Sequence, residues 1–316
     1  MRYFSKLLNK TFENPEFQLE DILNSAELVL IDNSLGRSND FFREHFYELR
    51  KLDSLSTRHI NEETQWATMF NRIINHPNSC TIKELTQEKE KYLEIISEKI
   101  RYFKQRESHK VNDRWKKKAE KEDSFTFNKL IELQKLAYRI KQDSHKKELK
   151  FDTELYTPLV DIVKLLSQKM HLKTDVTFLK GITDEDASNK SDTDERCIAA
   201  GLYLSLYSDK THAIISEDGD FNNLAGVIPR LVGANTLMPE NDFFKRRLSE
   251  NPLKVYFKGK DKKDYELRIN SSNQRYDNLF RIVGLSNKEI LRIEEQVRDQ
   301  LRNIKPQESS PIIQYS

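Results

Sequence analysis

Cysteine is nearly absent from this chain of 316 residues. Cys80 and Cys197 are too few and too far apart for a disulfide framework, which points to a reducing compartment. Neither stands in a CxxC pair or beside histidines at ligand spacing, so both read as small core residues. No apolar run approaches the roughly 20 residues that cross a bilayer. The N-terminal stretch MRYFSKLLNKTF has no apolar h-region, so no signal peptide is expected. These absences together predict a cytoplasmic protein with no membrane partner. Glycine and proline are scarce too, eight of each, and Leu85 to Gln168 is poor in turn residues, so long helices are expected there. Equally absent are HExxH, a P-loop, G-x-G-x-x-G and an ordered Ser-His-Asp set, which removes the commoner hydrolase and nucleotide-binding signatures.

What is present is charge. Charged residues make up 33% of the chain against 37% for the hydrophobic set, so much of it must be solvated helix. The formal net charge of +2 averages over uneven segments. Residues 101–150 carry about twice as many Lys and Arg as Asp and Glu, while the remainder is mildly acidic.

In chain order, residues 3–26 suggest one or two short helices in which Ile22 and Leu23 pack inward. Leu28 to Ile31 (LVLI) is a continuous apolar run, the pattern of a parallel strand buried on both faces. Asp32 ends it, which also fits a turn-forming Asx residue before Asn33. Two amphipathic stripes follow, one through Phe41, Phe42, His45, Phe46 and Leu49, the other through Trp66, Met69, Phe70, Ile73 and Ile74. Thr81 and Glu84 match a capping box opening the next helix. Stripes through Tyr92, Ile95, Ile96 and Ile100 and through Leu130, Leu133, Ala137 and Ile140 predict an antiparallel helical hairpin with a charged tip. At that tip Arg114, Trp115, Lys116, Lys117 and Lys118 could hold phosphates while the indole stacks on a base, or simply form a solvated face. A further helix is expected from Tyr156-Thr157-Pro158.

The second half is denser in signals. Ser191, Asp192 and Thr193 are competent N-caps for a helix carrying Ile198, Leu202 and Leu206. Asp194 in its first turn suits the helix dipole. His212 to Ser216 (HAIIS) predicts a buried strand ending at Asp218-Gly219 and Asp220. A short strand is expected near Leu231 and Val232, a hairpin over residues 254–269, a capped helix from Ser286, and a loose tail.

Asp32, Glu84, Asp194, Asp218 and Asp220 fall at strand ends or helix starts of a βα alternation. In an open parallel sheet those positions share one edge, where such folds bind ligands. Several carboxylates there would repel one another without a cation among them. All-oxygen ligation suits Mg²⁺ or Mn²⁺, which can generate hydroxide and stabilise in-line attack on a phosphodiester.

At these residues the chain resembles the PIN-domain (PIN-like) family of metal-dependent ribonucleases. LVLIDNS, TIKEL, DERCIAAGLYL and AIISEDGDF resemble its successive motifs, and TLMPENDFF its last strand and turn. The resemblance covers residues 26–86 and 174–245. It implies an α/β fold with a PIN-like parallel sheet flanked by helices, here interrupted by the helical hairpin and followed by a small C-terminal α+β extension. The expected divisions are 1–86, 87–170, 171–246 and 247–316. It further implies that Asp32, Glu84, Asp194 and Asp218 bind Mg²⁺ or Mn²⁺, with Asp220 completing the shell or orienting water. Asn33 and Ser216 would be hydrogen-bond partners of the ligands. Asp192, two positions from Asp194, competes for the third ligand position.

The function expected is an endoribonuclease acting on single-stranded or structured RNA. Two alternatives stand beside it: a PIN-like scaffold that binds nucleic acid or protein without cutting, and a structure-specific DNA nuclease with the same chemistry. A homo-oligomer or an inhibitory protein partner is compatible with all three.

Overall fold

The computed structural model describes residues 19–32, 57–108, 116–174, 192–216, 242–258 and 264–269, isolated positions from 286 to 304, and residues 314–315. The elements in the first half are α1 (Leu19–Leu23), β1 (Leu28–Ile31), α2 (Thr57–Ile74), β2 (Ser79–Cys80), α3 (Lys83–Ser108) and α4 (Lys116–Lys146). Those in the second half are β3 (Leu149–Lys150), α5 (Thr153–Thr174), α6 (Thr193–Tyr207), β4 (His212–Ser216), α7 (Asp242–Glu250), β5 (Leu253–Lys258), β6 (Asp264–Ile269) and β7 (Gln314–Tyr315). Among the described residues no helix is long and apolar enough to cross a membrane. The chain divides into two compact units, Met1–Asp32 with Leu149–Gln314, and Asn33–Glu148 with Tyr315–Ser316.

The first unit is α/β. β1 and β4 pair in parallel with Leu28 opposite His212 and Ile31 opposite Ile215. β4 pairs in parallel with β5, and β5 pairs antiparallel with β6. All four residues of β1, a continuous apolar run, and all five of β4 are buried, as strands covered on both faces require. The hairpin expected at 254–269 therefore forms, and its first strand lies parallel beside β4 in the main sheet.

α6 is buried almost throughout and lies on this sheet. Its closest approach is at Gly201, where a Cβ would stand 2.8 Å from both Leu253 methyls and 3.0 Å from Ile214 Cδ1. Only a glycine allows the helix to sit that close. α5 begins earlier than the Pro158 signal suggests. Asp152 caps it, its Oδ1 accepting from the Glu154 N–H at 2.9 Å while its carbonyl accepts from Tyr156 N–H at 2.8 Å. Pro158 then lies inside the helix. Gln314 and Tyr315, expected in a loose tail, form β7.

The second unit is helical. Lys141 Nζ pairs with Glu90 at 2.8 Å and Gln134 donates to Ser97 Oγ at 2.9 Å. Positions thus descend along α4 as they rise along α3, which makes the pair the antiparallel hairpin expected. Trp66, Phe70, Ile73 and Ile74 of α2 are buried, while Met69 is exposed. The capping box does not form as read. Thr81 gives its hydroxyl to Ser144 O at 2.7 Å and its N–H to Lys147 O at 2.9 Å. Ile82 O instead accepts the first helical N–H, from Thr86. Both cysteines are buried, and burial pushes the Cys80 thiol up to about 12 against the opposing charge of Lys147.

Candidate functional site

The β1–β4 register fixes the first piece of the site. Asp32 N–H donates to Ile215 O at 3.1 Å, so the parallel ladder runs one residue beyond Ile31. The next pair across is then Asp32 and Ser216. Paired residues on parallel strands project to the same face, and Ser216 Oγ donates to Asp32 Oδ2 at 2.7 Å. Both residues are buried, Asp32 at 3% exposure.

The same alternation says which face this is. His212, Ile214 and Ser216 share one side of β4. Ile214 meets Gly201 and His212 meets Ser205, so this is the side that α6 covers. Four helix residues, 205 to 201, advance about as far as two strand residues, 212 to 214. By that spacing Ser216 is level with Cys197, and the first turn of α6 extends past the end of the strand. At about 100° per residue, Asp194 lies within about 20° of Gly201 around the helix, on the sheet-facing side. Asp32 and Ser216 therefore share one face at the end of the β1–β4 pair, and helical spacing puts Asp194 on the side of α6 that carries Gly201.

Asp192 belongs to the other side. It occupies the cap position of α6 without a side-chain cap bond. Its Oδ2 instead accepts from Arg196 Nε at 2.9 Å and pairs with Lys164 of α5. Partial burial pushes the Asp192 carboxyl up, but hydrogen bonds and charges from Lys164 and Arg196 outweigh it and hold the pKa below the ordinary range. Asp192 is thus engaged by two cations on the side of α6 that meets α5. The Asp192–Arg196 spacing was readable as an i,i+4 pair, whereas Lys164 gave no local signal.

The chain has no match among family models, curated proteins or solved structures.

The remaining predicted residues are distributed as follows. Glu84 is half-buried in the first turn of α3, in the second compact unit. Asn33, Asp218, Asp220, Arg114 and Trp115 lie outside the described residues, as do His45 and the Leu231–Val232 strand. Lys116, Lys117 and Lys118 open α4. Among the described residues no group of three or more His, Cys, Asp or Glu stands together as a metal site. Asp32 and Asp194 are carboxylates, whose oxygens suit a hard divalent cation rather than a thiophilic one.

A second polar pair lies deeper on the same face. Ser205 Oγ is 3.0 Å from His212 Nε2, and His212 Nδ1 is 3.3 Å from Lys210 O. Burial pulls the imidazole down to about 4, against the opposing hydrogen bonds with the Lys210 and Gly201 backbone. A neutral ring donating from Nδ1 to Lys210 O leaves Nε2 to accept from the Ser205 hydroxyl. Ser205 has no exposure, and the partner of Nδ1 is a carbonyl rather than a carboxylate. The pair therefore joins α6 to β4 structurally and is no activated nucleophile.

Proposed function

We propose that this chain is a Mg²⁺- or Mn²⁺-dependent nuclease of the PIN-like kind that hydrolyses phosphodiester bonds in RNA. The observation that carries the reading is the buried Asp32 carboxylate at a parallel strand's end, held by Ser216 on the face whose helix presents Asp194. A carboxylate taken out of water is costly, and a divalent cation at the sheet edge offsets that cost.

Asp32 and Asp194 would hold the ion, with Asp218 completing the ligands and Asp220 orienting water. Ser216 fixes the Asp32 carboxylate plane, and Asn33 would act beside it. A divalent ion held there would supply an acidified water and offset the negative charge that builds on the phosphoryl oxygens during in-line attack. Arg114, Trp115 and Lys116 to Lys118 would grip the substrate backbone from the hairpin tip.

The test is incubation of the purified chain with labelled single-stranded RNA, with and without Mn²⁺. Cleavage that needs Mn²⁺ and disappears in Asp32→Asn and Asp218→Asn is the expected result. Equal cleavage by those variants would overturn the proposal. Flap DNA in a parallel reaction separates an RNA enzyme from a structure-specific DNA nuclease.

A further inference from the structure

α5 and α6 run antiparallel and touch at three polar points. Asp152 N–H meets Tyr203 Oη at 3.4 Å, Tyr156 Oη donates to Arg196 O at 2.9 Å, and Lys164 pairs with Asp192. Two of these fall on the start of α6, at Asp192 and Arg196. Asp192 also accepts from Arg196 within its own turn, and Arg196 N–H donates to Asp192 O at 3.0 Å. The start of α6 is thus tied to α5 from the side opposite the sheet. Asp194 lies between the tied residues and on the other face.

From this juxtaposition we infer that Lys164, Asp192 and Arg196 form a brace that sets the position of Asp194 for cation binding. The inference rests on the metal-nuclease reading and adds positioning residues to it. Lys164 and Asp192 are each about a third exposed, so the brace is a rim feature rather than part of the core. Fraying of the first helical turn is the ordinary behaviour of a helix end, and it would move Asp194 relative to Asp32. The brace opposes that motion without touching the ion or the substrate.

The experiment is calorimetric titration of the full-length chain with Mn²⁺, alongside its melting curve. Asp192→Ala and the milder Lys164→Met are each expected to weaken Mn²⁺ binding about tenfold while the chain keeps a cooperative melt. Asp192→Glu, which can still reach both cations, should recover most of the affinity. RNA cleavage at saturating Mn²⁺ should show a lower kcat with KM for RNA little changed. Wild-type Mn²⁺ affinity in both Asp192→Ala and Lys164→Met, with binding lost in Asp32→Asn, would overturn the brace and leave the nuclease reading standing. Absence of Mn²⁺ binding by the wild-type chain would overturn both.

Discussion

Ser216 Oγ donates to Asp32 Oδ2 at 2.7 Å, across 184 residues of sequence and inside a buried strand pair. A hydrogen bond to an ionised group contributes roughly 1.5–3 kcal/mol. Removing the donor leaves the Asp32 carboxylate buried with less support. Ser216→Ala is therefore expected to weaken Mn²⁺ binding about tenfold or more, and Ser216→Thr to keep it. Calorimetric titration of both variants checks this, and equal affinity in Ser216→Ala and the wild type would refute it.

His212 makes stability depend on pH. Burial lowers its pKa from the ordinary 6.5 to about 4 in the fold, so the folded chain keeps the ring neutral where the unfolded chain would protonate it. The unfolded state binds the extra proton between those limits, so stability is lost as pH falls from about 6.5 towards 4 and is unaffected above that window. The loss attributable to this residue reaches about 3 kcal/mol at pH 4. Urea midpoints measured from pH 7 to 4.5 on the wild type and on His212→Asn should show a shallower slope in the variant. Parallel slopes would rule the histidine out as the cause.

Gly201 lies where α6 presses hardest on the sheet. Alanine would add about 1 kcal/mol of helix propensity, but its methyl would meet Leu253 at 2.8 Å, and Leu253 has no exposed volume into which to swing. Overpacking costs of about 1–3 kcal/mol should prevail, so Gly201→Ala destabilises the chain by about 1 kcal/mol. Pairing it with Leu253→Val should recover most of the loss. Simple additivity in the double variant would show that the two sites do not share that space.

Lys89 holds the second unit in an unusual way. It is 1% exposed, and its Nζ stands 3.9 Å from the Phe70 ring centroid and 4.9 Å from that of Trp66. A desolvated cation over aromatic faces is worth about 2 kcal/mol. A double-mutant cycle of Lys89→Met with Phe70→Leu should return a coupling energy of about 1–2 kcal/mol in urea unfolding. A coupling near zero would mean that the ring supports only the lysine stem.

Several features were legible in the sequence because their cause is local. LVLI is a strand at Leu28–Ile31, since a run with no polar residue must be covered on both faces, and the β-prone run HAIIS is one at His212–Ser216. The helix through Ile198, Leu202 and Leu206, the two-helix hairpin and the 254–269 hairpin follow from periods of 3.6 and 2 in the same way. The placement of Asp32 at a strand's end is equally local.

Tertiary structure decided the rest, because the deciding partner lies far along the chain. Thr81 reads as a capping residue until Ser144 O and Lys147 O claim its donors. Asp192 and Asp194 look alike until α5 brings Lys164 to Asp192. Asp32 meets Ser216 only because the β1–β4 register sets the two opposite each other. Periodicity determines which side of an element is buried; register and packing determine which side chains meet there.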